Sequence, residues 1–287
     1  MKNIFASAVV AVLASFGTLH FMGGSGGEGT VATQKETAYE RVMRTGKIRC
    51  GYVIYPPALN KTPEGEMVGI YADIANEMAD MLSLEIEWSE EVSWATLAEG
   101  LKTERYDLFC SAAWPNAGRA RIIDFSQPVY YSVIDAYVRQ NENRFTSLEQ
   151  LNRPEIKFST VEGATIHFMT QKHFPNASIH ALPEMSSHAE MILDVALNKA
   201  DAVVAERVIA NDFMKHNPDK LKRVVNNFPV VVNPNTLPYK KGEVEFGAMI
   251  NSALLIMNNQ GDINRILEKH EEGGDLFYRP AKPYEVK

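Results

Sequence analysis

The sequence predicts a two-lobed α/β protein, and three features carry that expectation. Short apolar runs alternate with helical periodicities from residue 47 onward. The alternation occurs in two successive series. Extended segments near 133–139 and 231–239 separate and follow the second series, the latter overlapping the proline-rich crossing 229–238 with Pro229, Pro234 and Pro238.

In the first series, residues 48–54 read as a strand, and Asp73 as the cap of a helix whose Ile74, Met78, Met81 and Leu82 recur at helical spacing. Residues 85–88 read as a second strand, 94–101 as a helix and 108–112 as a third strand. Strands alternating with helices imply a parallel sheet covered on both faces. Ligands of such sheets bind outside the carboxyl ends of the strands. The second series reads as strand 156–161, helix 164–173, strand 178–181, a helix to Lys199 and strand 202–205. Ser187 and Glu190 stand at the spacing of a capping box that opens this last helix. Two further helical patterns follow, at 243–259 and 263–270.

The chain has 287 residues, 45% hydrophobic and 23% charged, which suits a folded protein with one large or two modest domains. A formal net charge of -7 and the lack of any basic run give no footing for a nucleic-acid partner. The N-terminus carries Lys2, then an uncharged apolar stretch 4–22 and a glycine-rich segment. This is the pattern of an export signal; without a clear A-x-A site, an uncleaved anchor in the inner membrane is the alternative reading. Cys50 and Cys110 fall in two separate strand-like runs and form no C-x-x-C, so metal and redox chemistry are not expected. In an oxidising compartment they either pair or stand as two small buried residues. No cofactor motif is present, and no cofactor is expected.

Several segments resemble the amino-acid type of bacterial extracellular solute-binding proteins, family 3, which feed ABC importers. They are Gly46-Lys-Ile-Arg-Cys-Gly-Tyr, Gly65-Glu-Met-Val-Gly-Ile-Tyr-Ala-Asp73, Tyr106-Asp-Leu-Phe-Cys-Ser-Ala-Ala, the arginine loop Gly118-Arg-Ala-Arg with Asp124-Phe-Ser-Gln-Pro, Val161-Glu-Gly-Ala-Thr165 and Asp201-Ala-Val-Val-Ala-Glu206. The resemblance implies a type II periplasmic-binding-protein fold, two α/β lobes joined by a two-strand hinge. It divides the chain into a signal peptide or anchor (1–27), a linker (28–37), lobe 1 (38–134 and 238–287) and lobe 2 (135–237).

The resemblance also implies a ligand-binding set. Arg119 takes the place of the family's carboxylate-binding arginine, a planar two-pronged donor that stays charged. Glu206 stands where the family usually has Asp, as the acid for an ammonium group, one methylene longer. Gly163, Ala164 and Thr165 would open a helix whose N–H groups complete a carboxylate clamp. Tyr55 and Trp94 match positions that line the cleft, and Trp114 replaces a small hydroxyl residue, leaving its backbone and ring. Ala112 offers its carbonyl.

The function these residues suggest is capture of a small amino-acid-like zwitterion by hinge closure, in the periplasm, by a monomer without catalytic residues or metal, for delivery to the membrane subunits of an ABC transporter. Two alternatives share the scaffold: a cyclohexadienyl-dehydratase-like enzyme, with Glu162, Glu184 or Glu206 as its acid, and a membrane-tethered ligand sensor.

Overall fold

The computed structural model describes residues 35–184, 186–224, 227–271 and 275–281. The expected signal or anchor segment, and most of the linker after it, lie outside the described residues.

The chain runs α1 (Ala38–Thr45), β1 (Lys47–Tyr52), the short hairpin β2 (Asn60–Lys61) and β3 (Met67–Val68), α2 (Ile70–Met81), β4 (Glu85–Glu91), α3 (Leu97–Lys102) and β5 (Leu108–Phe109). It continues through α4 (Ala117–Ala120), β6 (Ile123–Phe125), β7 (Tyr130–Arg139), β8 (Lys157–Val161), α5 (Thr165–His173), β9 (Ser178–Leu182), α6 (His188–Ala196), β10 (Ala202–Glu206), α7 (Arg207–His216) and β11 (Leu221–Arg223). The described chain ends with β12 (Val231–Asn235), β13 (Pro238–Lys240), α8 (Val244–Gln260), α9 (Asp262–Glu271) and β14 (Phe277–Tyr278).

Two sheets organise these elements. The first, in lobe 1, has the order β4-β1-β5-β13-β6, and the second, in lobe 2, includes the order β9-β8-β10-β7-β11. Each has a parallel core: β1 lies parallel to β4 and β5, and β8 parallel to β9 and β10. Into each core runs one antiparallel strand that follows a crossing between the lobes: β13 beside β5 and β6, and β7 beside β10 and β11. The outgoing strand β7 and the returning strand β12 pair antiparallel from Ile134/Val231 to Tyr130/Asn235, which makes the two-strand connection. Strand β14 pairs with the same stretch of β7, at Ser132 and Tyr131. This is the type II arrangement.

Local chemistry accounts for some element ends. The capping box is present: the Ser187 N–H donates to Glu190 Oε2 at 2.6 Å, and the Glu190 N–H to Ser187 Oγ at 3.1 Å. The start of α2 differs from the expectation. Its cap is Gly69, at φ 114°, rather than Asp73, and a Cβ there would meet the Ala58 carbonyl oxygen at 2.5 Å. Close passage of the 56–58 segment therefore sets the helix start, and Asp73 falls in the first turn. There its carboxylate accepts from Lys269 at 2.8 Å and from His270 at 2.9 Å, tying α2 to α9. The third strand is shorter than expected, because the backbone turns to φ 50° at Ala112 and Ala113 instead bridges Thr236.

Cys50 and Cys110 form a disulfide, which joins the end of β1 to the residue following β5 inside lobe 1. Gly51 and Gly100 flank the buried Tyr106 ring so closely that a Cβ at either would lie 2.4 Å from it, and the Tyr106 hydroxyl donates to the Leu97 carbonyl at 2.6 Å. No helix among the described residues is long and apolar enough to cross a membrane.

Candidate functional site

Parallel strands in each lobe end facing the other lobe, and the loops after them build one cavity of about 330 Å³. Tyr55 follows β1, Ala112 to Trp114 follow β5, Gly163 to Thr165 follow β8, and Glu206 ends β10. Trp94 comes from the turn before α3, and Arg119 from α4. All nine residues singled out from the sequence, Arg119, Glu206, Thr165, Ala164, Gly163, Trp94, Trp114, Tyr55 and Ala112, line this cavity.

Arg119 is positioned by its own helix and by the neighbouring loop. Asn116 caps α4 by accepting the Arg119 N–H at 2.9 Å, and the guanidinium donates through Nη2 to the Trp94 carbonyl at 2.8 Å. No carboxylate among the described residues pairs with it. Burial pulls the guanidinium below its ordinary value, yet an arginine starts so high that it stays charged. It is a half-satisfied planar donor facing the cavity, which suits a carboxylate.

Glu206 is 7% exposed, at the last position of β10 and the cap of α7. Tyr55 Oη donates to its Oε1 at 2.8 Å, and Ser132 Oγ to its Oε2 at 2.5 Å. Asn235 Nδ2 in turn donates to Ser132 Oγ at 2.7 Å. Burial pushes the Glu206 carboxyl above its usual range, and the two hydroxyl donors oppose that rise. Its chain neighbour Arg207 turns to Asp135 at 2.5 Å and to Asp275, and among the described residues no cation pairs with Glu206.

On the lobe 2 side, Gly163 takes φ 72°, a backbone conformation that favours glycine, and so turns the chain from β8 into α5. The first N–H groups of α5 have no intrahelical acceptor. Ala164, Thr165 and Ile166 at that end line the cavity, and the helix dipole favours an anion there.

The aromatic walls meet around Tyr55. Its ring makes edge contacts with Trp94 at 5.7 Å, within lobe 1, and with His188 at 5.2 Å, across the cavity. Burial, then the Glu206 carboxylate, pushes the Tyr55 phenol well above its ordinary value. Burial pulls His188 down to about 4, so its imidazole is neutral at pH 7.

Sequence reasoning left His188, Tyr71 and Asn235 out of the cavity lining, and Ser132 out of the network behind it. His188 carried a readable signal, being the first residue after the Ser187 cap of a helix at the mouth of a parallel sheet. Glu162 and Glu184, considered only as acids for an enzyme, also line the cavity and are exposed. No group of three or more His, Cys, Asp or Glu side chains among the described residues is arranged to hold a metal.

Known proteins share this architecture. A probable histidine-binding protein of Campylobacter jejuni is 28% identical over 165 residues, covering 58% of this chain and 61% of that protein. The chain thus matches less than two thirds of that relative's length. The cyclohexadienyl dehydratase of Pseudomonas aeruginosa is 24% identical over 187 residues, 64% of this chain and 68% of that one. The solved structure of an ancestral amino acid-binding protein, a precursor of cyclohexadienyl dehydratase, matches with a TM-score of 0.69 at 25% identity, over 82% of this chain and 99% of that one. The sequence pattern of bacterial extracellular solute-binding proteins, family 3, matches residues 48–272. The match runs through both sheets and every cavity-lining loop, and the chain belongs to that family of extracellular solute-binding proteins.

Proposed function

We propose that the protein captures a small zwitterion of the amino-acid class between its lobes and performs no covalent chemistry on it. The carboxylate of the ligand meets Arg119 and the opening N–H groups of α5, its cationic nitrogen meets Glu206, and Tyr55, Trp94 and Trp114 enclose the remainder. One observation carries this reading: a guanidinium and a buried carboxylate, neither with an oppositely charged partner among the described residues, line the same cavity from opposite lobes. Two opposite charges so placed match a molecule that bears both, and contacts to both lobes favour the closed form. The histidine-binding and ancestral amino acid-binding relatives support the same ligand class. In this reading the protein works outside the cytoplasm as a monomer and delivers its ligand to the membrane subunits of an ABC transporter.

A thermal-shift screen against the protein amino acids and related zwitterions tests the proposal. A ligand at one hundred times its Kd adds about 2.7 kcal/mol to apparent stability. The best hit is expected to raise the melting temperature of the native protein and to leave Arg119→Ala, itself still folded, unmoved. A shift retained in Arg119→Ala contradicts the assignment.

One observation favours a second reading. A carboxyl whose proton affinity is raised by burial, as at Glu206, is suited to act as a general acid, and one relative is a dehydratase. Incubation with prephenate or arogenate separates the two: turnover makes the protein an enzyme, and its absence leaves the binding reading standing.

A further inference from the structure

The Glu206 carboxyl is held by groups from three parts of the molecule. Tyr55 reaches it from lobe 1, Ser132 from the outgoing hinge strand β7, and Asn235, on the returning strand β12, backs Ser132. The direction of the hydrogen bonds is fixed by the chain of donors. Asn235 supplies an N–H to Ser132 Oγ, so the Ser132 proton points to Glu206, and the Tyr55 hydroxyl has Glu206 as its acceptor. Each carboxyl oxygen thus receives one O–H donor. An ionised carboxylate accepts about four hydrogen bonds, so each oxygen keeps one acceptor position for a ligand.

We infer that Tyr55 is a positioning residue whose hydroxyl, reaching across the cavity, holds Glu206 ionised and aimed at the cationic nitrogen of the ligand. The inference rests on the proposed role of Glu206 as the acceptor of that nitrogen. It assigns Tyr55 a task beyond that of an aromatic wall. Because Tyr55 and Glu206 belong to different lobes, their bond exists only while the lobes are together. That bond favours the ionised carboxyl in the closed form, where it opposes the burial that favours the protonated one.

The other titratable groups facing this carboxyl do not replace Tyr55. From lobe 1 come Tyr71, a phenol whose own proton is held more tightly than usual by burial, and Arg119, already bonded to the Trp94 carbonyl. The hinge strand contributes Tyr130, likewise raised, by burial and then by Tyr71. From lobe 2 come His188, neutral at pH 7, and Glu162 and Glu184 on the exposed side of the cavity. Among the described residues, the side chains that donate to the carboxylate are Tyr55 and Ser132.

Carbon NMR of the protein, labelled at the glutamate side-chain carboxyl carbons, reads the titration of Glu206 directly, and Glu206→Gln identifies its signal by removing it. Tyr55→Phe keeps the ring against Trp94 and His188 and removes only the hydroxyl. Loss of a donor to the charged form is expected to move the Glu206 midpoint upward by about one pH unit. A role for Tyr55 in packing alone would leave the midpoint where it is, and that result overturns the inference. Addition of an equimolar mixture of the twenty protein amino acids is expected to move the Glu206 signal of the native protein. A signal that the mixture leaves unmoved removes Glu206 from the binding site and so overturns the proposed role on which the inference rests, while the Tyr55→Phe midpoint separately reports whether the hydroxyl governs the carboxyl.

Discussion

His188 shows how a single side chain takes its state from its surroundings. As the first residue of α6 it sits at a helix N-terminus, where positive charge is disfavoured, and burial brings its imidazole down to about 4. An unfolded histidine titrates near about 6.5, so the unfolded chain gains a proton on acidification before the folded one does. Stability from this group is therefore fully present above the unfolded value and is lost as pH falls from there toward 4. Glu206, whose proton affinity is raised on folding, works in the opposite sense: its contribution is largest below the unfolded carboxyl value and is lost as pH rises through its folded one. Urea denaturation at pH 7 and pH 5 is expected to show a smaller stability loss for His188→Gln than for the native protein. Equal losses would mean that His188 is not held neutral. At this scale Arg119 and Glu206 were legible through the family resemblance, because each stands in a short segment with its own local pattern. It did not display Ser132 and Asn235, which meet across 103 residues of chain and are recognisable only once the two hinge strands are paired.

The elements of lobe 1 are fastened by close approaches that only certain residues permit. The Cys50–Cys110 disulfide closes a separation of 60 residues, which in the chain-entropy picture is worth about 4 kcal/mol through the unfolded state. The double substitution Cys50→Ser with Cys110→Ser is expected to lower the urea-unfolding free energy by about that amount, while the ligand response of the native protein persists at low temperature. An unchanged unfolding free energy would contradict a stabilising role for the bond. The pairing was open in the sequence, since two strand-like runs say nothing of which strands are neighbours; the parallel β1–β5 register brings Cys50 opposite Leu108 and so near Cys110. Helix existence was legible from apolar spacing, and the capping box at Ser187 and Glu190 was legible because both partners lie within one turn. The start of α2 was not, because the segment that forces Gly69 approaches from the loop before the β2–β3 hairpin, beyond the reach of a local pattern.

Taken as a whole, the molecule places its chemistry where two similar sheets face each other. Repetition of the strand–helix pattern in the sequence foretold two sheets, and the extended segments near 133–139 and 231–239, the second with its prolines, foretold the crossings between them. What the pattern could not convey is the contact across the cavity, where Tyr55 touches both Glu206 and His188. That contact belongs to neither lobe alone, and it determines which charges a ligand meets. The central claim, that a zwitterion bridges the lobes between Arg119 and Glu206, is tested most directly by a crystal structure of the protein grown with its best thermal-shift hit. The expected result is a carboxylate within hydrogen-bond distance of the Arg119 guanidinium and a cationic nitrogen within the same distance of Glu206, both inside the one cavity. A ligand seated elsewhere, or seated there with neither group engaged, would contradict it.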